Sequence, residues 1–335
     1  MKRIITLFLT LALTLSLAAC AAPDEKADDG RLQIVATLFP YYDFARAIAG
    51  GRADVTLLLS PGREAHSFEP TPLDAVTISE ADVFLYNGGE GEYWVESMLD
   101  AAGEHIAVAS RMMDYVDALN EEYVEGMQGT DGHDHDHEHG SHDDHDHDHE
   151  EDEHDSDEIE YDEHIWTSPK NAVVLCRAVC DAICRADAEN AAFYRANCEN
   201  YCAQLEDLDA RFAALCESAP RRLLIFADRF PMLYFCREYG LDYRAAFHGC
   251  SGDTEPSLAT IKFLIDKVED ENIPVVYTID FGTKKVAAVV SECTGAAIDT
   301  LYSMQTVSRA DFDAGETYLT LMERNFEALR KGLNE

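Results

Sequence analysis

Two stretches of this chain, 191 residues apart, read almost alike. RLQIVATLFPYYDFAR begins at Arg31 and RLLIFADRFPMLYFCR at Arg222. Arg, Leu, Ile, Ala, Phe, Pro, Phe and Arg coincide at that constant offset. Each stretch is a short apolar run followed by an amphipathic one, the start of a strand–helix unit. A repeat of this length points to two similar lobes rather than one large sheet.

The rest of the chain follows the same plan. In the first block RLQIVATLF, DVTLLLS, DVFLYNG and HIAVAS read as strands. YYDFARAIAG, PLDAVTISEA and YWVESMLDAAG read as the helices between them. In the second block the strands are RRLLIFAD, DYRAAFHG, PVVYTIDFG and AAIDTLYS, and a helix follows each. Such alternation predicts an α/β fold in two lobes, each a four-stranded parallel sheet with flanking helices. Between the blocks lie two helical stretches, AVVLCRAVCDAICRA and AENAAFYRANCENYCAQLEDLDARFAALCES. The second has about thirty residues without Gly or Pro, roughly 45 Å of helix and enough to run along both lobes. Ligands of such sheets bind outside the carboxyl ends of the strands, here between the lobes.

The 335 residues carry a formal charge of −39, unevenly spread. Residues 131–163 hold 18 Asp and Glu and no Lys or Arg, so −21 remains on the rest. This argues against nucleic acid and for cationic partners. Within that span GHDHDHEHGSHDDHDHDHEEDEH places His133, His135, His137, His139, His142, His145, His147, His149 and His154 in 23 positions. The run has nothing to bury and is expected to be disordered without metal. Ordering it costs entropy, so its metal sites are expected to be weak and exchanging. It would act as a scavenging loop that raises the ion concentration beside a tighter site.

At the N-terminus, Lys2 and Arg3 precede an apolar stretch, Ile4 to Leu17, too short for a membrane span. It ends in Leu17-Ala18-Ala19-Cys20. This reads as a bacterial lipoprotein signal over 1–19, with Cys20 as the lipidated residue and 20–31 as a linker. The chain is then expected to be extracytoplasmic, anchored to the cell membrane by lipid. Nine further cysteines, 176, 180, 184, 198, 202, 216, 236, 250 and 293, are an odd number. Those at helical spacing read as small buried apolar residues, because no CxxC supports a thiolate cluster.

Three segments carry candidate ligands. His66, in SPGREAHSFEPTPLD, follows the second strand at its carboxyl end. Asp162, Glu163 and His164, in YDEHIWTSPKNA, read either as the tail of the acidic run or as the start of a packed turn. Trp166 and Pro169 favour the turn, since an aromatic ring needs a place to bury. Asp228, in IFADRFP, takes the repeat position of Thr37 and would face the cleft or cap the next helix.

PGREAHSFEPTPLD with ADVFLYNGGEGEYW, DEHIWTSPKNA, and TGAAIDTLYS resemble the substrate-binding lipoproteins of zinc and manganese ABC importers, from about residue 32 to the C-terminus. The resemblance implies two four-stranded α/β lobes joined by one long rigid helix, with one divalent ion held between them. It divides the chain into a first lobe over 32–168, with a His-rich loop at about 128–160, a helical region over 169–217 and a second lobe over 218–335. It also implies a monomer that hands its ion to an ABC permease. By the resemblance His66 and His164 match the first two ligands and Asp228 the third, which is His in zinc members and Glu in manganese members. The fourth position, counted from Thr294, falls on Tyr302, which is no carboxylate. Asp299 lies three residues away along the strand and so on its opposite face. Asp280, Glu255, Asp299 or water is left to complete the sphere.

Two imidazoles and one or two carboxylates suit four-coordinate Zn²⁺ with bonds of ~2.0–2.2 Å. Mn²⁺ or Fe²⁺ is the alternative cargo, and the oxygen donor of Asp228 leans that way. The His-rich run leans back toward zinc. Two other function classes compete. Three protein ligands plus water also describe a zinc-dependent hydrolase, although no HExxH occurs and no general base accompanies His66 or His164. The third class is a metal buffer or adhesin in which the His-rich loop is the main device.

Overall fold

In the computed structural model, described over residues 30–63, 68–103, 106–127, 160–249 and 255–334, the chain from Leu32 onward clusters as one compact unit. Apolar residues on both faces of a strand force a sheet to be covered on both sides. In β1 (Leu32–Ala36) the last three residues are all buried. β1 pairs in parallel with β2 (Ala53–Leu57) and β3 (Val83–Tyr86), and β3 with β4 (Val108–Arg111). The second sheet repeats the plan with β5 (Leu223–Phe230), β6 (Asp242–His248), β7 (Val275–Ile279) and β8 (Ala297–Leu301), all parallel. The strand orders, β2-β1-β3-β4 and β6-β5-β7-β8, are the same. The twin lobes expected from the repeat are present.

Local chemistry sets the helix ends. α1 (Phe39–Ala49) takes Pro40 in its first turn, where the missing N–H costs nothing, and stops at Gly50, whose φ of 53° lies in the left-handed region. α2 (Pro72–Ser79) starts with a capping box between Thr71 and Asp74, and α3 (Trp94–Ala102) follows β3. α4 (Pro169–Ala186) starts where the Ser168 side chain accepts from Asn171 N–H. α5 (Ala191–Ser218) has 28 residues, about 42 Å, and is the joining helix. It starts three residues later than its pattern suggests. The Asp187 side chain accepts from Asn190 N–H and winds 188–190 into a tighter turn. α6 (Leu233–Tyr239), α7 (Leu258–Asp270), α8 (Lys285–Thr294), α9 (Arg309–Ala314) and α10 (Tyr318–Asn334) complete the second block. Among the described residues no helix is long and apolar enough to cross a membrane.

Strand alternation splits the core. In β5, Leu224 and Phe226 face a core that continues into α1, α4, α5 and α10. Ile225 and Ala227 face a smaller one with Leu264, Val268 and Val290 of α7 and α8. The last helix reaches the first lobe. Tyr318 N–H donates to Asp43 Oδ2 (2.9 Å), which also accepts from Tyr201 of α5 (2.7 Å).

The repeat breaks at one place that matters for the site. β5 was expected to end near Asp228 but runs on to Phe230. Phe226 pairs with Ala245 and Arg229 with Phe247, so β5 spends one residue more than β6. That is a β-bulge over Ala227 and Asp228, and bulges re-aim the side chains they carry.

Candidate metal centre

The turn before α4 is held from every side, as Trp166 and Pro169 suggested. Trp166 is fully buried, and its Nε1 donates to Ser303 O (2.7 Å). Its carbonyl accepts from the Tyr318 hydroxyl (2.6 Å), and Tyr41 meets the ring edge-on. Thr167 Oγ1 donates to His164 O (2.8 Å). His164 is 1% exposed, a packed residue and not the tail of the acidic run.

Asp162 fixes the imidazole. Its Oδ1 accepts from His164 N–H (2.8 Å) and from Nδ1–H (3.0 Å). A carboxylate on Nδ1 places the ring's lone pair on Nε2, the arrangement by which proteins orient metal-ligating histidines. Burial alone would push His164 down, but the Asp162 charge and hydrogen bond, with Glu163 and Glu121, leave its pKa raised. Glu163 turns to the first lobe. Its Oε1 accepts from Gly91 N–H (2.8 Å) and lies where a Cβ on Gly89 would sit. Its carbonyl accepts from Asn87 Nδ2 (3.0 Å).

His164 lines a cavity of about 20 Å³, the size of one water or one ion. The other walls come from the carboxyl ends of the second-lobe strands: Arg229 at the end of β5 and Pro231 just past it, Gly249 after β6, Asp280 and Phe281 after β7, Ser303 and Thr306 after β8. Gln305 also lines a second cavity of about 20 Å³ on the first-lobe side, with Thr37, Phe68, Glu92 and Trp94. There Glu92 is buried, Oε1 has no partner among the described residues, and burial pushes its carboxyl up to about 7 despite the Gly88 N–H bond. A third cavity, about 220 Å³, is lined by Glu90, Glu121, Glu160, Glu163 and His248. Glu160 lies six residues after His154, the last histidine of the His-rich run.

The predicted site residues divide as follows. His66, Cys20 and His133 to His154 lie outside the described residues. Asp280 shares the His164 cavity, and its Oδ1 accepts from Ser303 N–H (2.7 Å). Asp228, turned by the bulge, sets its Oδ2 against the exit of β7. It accepts weakly from Ile279 N–H (3.4 Å) and occupies the space a side chain at Gly282 would need. Its neighbour Arg229 is the β5 residue that lines the His164 cavity. Glu255 is exposed and paired with Lys285 (3.6 Å). Asp299 is bonded to Lys331 (3.1 Å). β8 ends at Leu301, so strand alternation does not extend to Tyr302, whose ring lies under Arg324. Among the described residues, His164, Asp228 and Asp280 do not form a trio with ligand atoms within 4.8 Å of one another.

Twin parallel lobes with a carboxylate-oriented histidine at their seam can now be set beside known proteins. The family model described as zinc-uptake complex component A, periplasmic (ZnuA) matches residues 34–332. The chain belongs to this family. It is 30% identical to the high-affinity zinc uptake system protein ZnuA of Bacillus subtilis, over 98% of this chain and 97% of that one. It is equally similar to the zinc-binding lipoprotein AdcA of Streptococcus pneumoniae, covering 99% of this chain but 61% of AdcA. Among solved structures, the metal-dependent lipoprotein YcdH of Bacillus subtilis superposes with a TM-score of 0.72 at 28% identity, covering 90% of this chain and all of that one. The Zn(II)-bound ZnuA-like domain of Streptococcus pneumoniae AdcA gives 0.71 at 25% identity, covering 91% and 100%. ZnuA-family proteins belong to uptake, not turnover, which sets aside the zinc-dependent hydrolase.

Sequence reasoning missed three residues here. Asp162 reads as part of the packed turn but not as the partner of His164, and its spacing of two before His164 is the available signal. Arg229 was hidden because the bulge is invisible to a period-2 count. His248 sits at the carboxyl end of β6, the same kind of position that singled out His66, and its Nδ1 bonds Glu121.

Proposed function

We propose that this protein is an extracytoplasmic receptor, tethered through Cys20, that captures Zn²⁺ between its lobes and delivers it to an ABC permease. The observation that carries the reading is His164. A fully buried imidazole, with Nδ1 held by Asp162, lines an ion-sized cavity at the strand ends of a ZnuA-family fold. His66, His164 and Asp228 supply the ligands, Asp228 once its carboxylate leaves Ile279 N–H for the cavity that Arg229 lines. Asp280 is the fourth ligand best supported, because it shares the cavity of His164 while Glu255 and Asp299 are engaged with lysines. Capture and release of one ion by a single chain needs no partner copy, and the acidic surface gives nucleic acid no purchase. The cavity of Glu90, Glu121 and Glu160 is acidic, which supports entry of cations on their way to the cleft.

The test is zinc and manganese titration of full-length protein and of a variant lacking residues 130–157. Zinc is expected to bind the full chain with one tight equivalent and several weak ones. The deletion should remove only the weak ones, and His164→Ala only the tight one. Loss of the tight equivalent on deleting the loop would overturn the ligand assignment. Tighter binding of Mn²⁺ than of Zn²⁺ would assign the alternative cargo.

A further inference from the structure

Away from the cleft, five cysteines line the contact between α4 and α5. Cys176, Cys180 and Cys184 form a stripe at successive turns of α4, and Cys198 and Cys202 form the facing stripe on α5. All five are buried and none is in a disulfide. The Sγ atoms of Cys176, Cys198 and Cys202 lie within 4.8 Å of one another, the only such trio of metal-binding side chains among the described residues. We propose that these three thiols form a second metal site, for a soft d¹⁰ cation of the Cu⁺ or Cd²⁺ class.

The geometry is that of a site already assembled. Cys198 and Cys202 Sγ are 3.8 Å apart. Sulfurs bound to one tetrahedral zinc at ~2.3 Å stand about 3.8 Å from each other, so these two need no movement to share an ion. Two long helices hold the donors, so little entropy is lost on binding. Without metal, the Cys198 thiol donates to Cys176 O (3.8 Å) and the Cys202 thiol to Val173 O (3.9 Å). Both carbonyls already belong to a helix, so these weak bonds are surrendered cheaply. Binding breaks three S–H bonds, forms three S–metal bonds and passes three protons to solvent. Cys184 and Cys180, with sulfurs 3.9 Å apart, continue the row of thiols toward the C-terminal end of α4. The ion would staple α4 to α5, and its all-sulfur donors select soft ions that the nitrogen and oxygen set of the cleft does not favour.

The probe is Cd²⁺, titrated anaerobically into the full chain kept reduced by a phosphine. Ultraviolet thiolate-to-cadmium charge transfer is expected to saturate at one equivalent, and to persist unchanged in His164→Ala. Cys198→Ala and Cys202→Ala should each remove most of it while keeping the circular dichroism of the parent. Cadmium-edge X-ray absorption on the unmutated chain, which needs no variant to fold, should count three sulfur neighbours. A count of one or none, or a band that survives Cys198→Ala, overturns the site. Because His164→Ala spares this signal and abolishes the tight cleft equivalent, the two assignments fail independently.

Discussion

Asp162 separates an oriented ligand from an ordinary buried histidine. Zinc on Nε2 would stand roughly 7 Å from the Asp162 carboxylate: 3.0 Å from Oδ1 to Nδ1, ~2.2 Å across the ring and ~2.1 Å of Zn–N bond. A divalent ion and a unit charge at that separation attract by about 1 kcal/mol at the dielectric of water and about 5 kcal/mol at an effective value of 20. Losses of 10–100-fold on removing such orienting partners fall inside this range. Asp162→Asn keeps an acceptor for Nδ1–H but removes the charge, so zinc affinity should fall by about 10–100-fold with little change in apo stability. Asp162→Ala also strands two buried donors, His164 N–H and Nδ1–H, and should destabilise the apo protein by about 2–4 kcal/mol. The assays are chelator competition for affinity and urea unfolding for stability. Zinc affinity in Asp162→Asn within twofold of the parent would refute the argument that this carboxylate tunes a metal ligand.

Other perturbations test the surroundings. Glu92, raised to about 7 by burial, folds best protonated, so its contribution is lost as pH rises from the unfolded value of about 4.5 to 7. Glu92→Gln should therefore stabilise the protein by about 3 kcal/mol above pH 7 and not at all near pH 4, read from urea midpoints across pH. His164 is also raised, so the apo protein gains stability below pH ~6.5 that disappears as pH climbs through the folded value. Zinc competes with that proton, so zinc-induced stabilisation should grow with pH over the same window and lose this dependence in His164→Gln. Arg229 lines the cavity of His164, so its positive charge repels a divalent ion held there. Arg229→Gln should tighten zinc several-fold, and unchanged or weaker binding would remove Arg229 from the ion's field.

Architecture was legible because it rests on periodicity. The offset between Arg31 and Arg222 fixed the number of lobes, and alternating apolar runs fixed the strands. His164 was legible for a different reason. Trp166 and Pro169 are costly in a solvated acidic tail and natural in a packed turn. What escaped was whatever depends on a local irregularity. The bulge at Ala227 and Asp228 adds a single residue to β5, leaves hydrophobicity unchanged, and yet exchanges which of Asp228 and Arg229 lines the cavity beside His164. The end of β8 at Leu301 likewise cancels the face argument for Asp299 and Tyr302. The thiol trio escaped because CxxC is the wrong template. On facing helices the neighbours are i and i+4 of each stripe, a spacing shared with plain core packing.

The turn that carries His164 also limits how the lobes can move. Glu163 is tied to the first lobe through Asn87 and Gly91, while Trp166, three residues later, is tied to Ser303 of the second. α10 repeats the tie through Tyr318, which bonds Asp43 of α1 and the carbonyl of Trp166. A rotation opening one lobe from the other would shear these buried bonds together and divide a core that runs through α1, α4, α5 and α10. Breaking several buried hydrogen bonds at about 1–3 kcal/mol each is a large part of the stability of any domain. The connection after β8 is itself tied down by Trp166 at Ser303, so the movement falls to the other strand-to-helix connections that wall the cavity. Ion exchange is therefore cheapest through rearrangement of the cleft's own connections, with both sheets and the joining helix left in place.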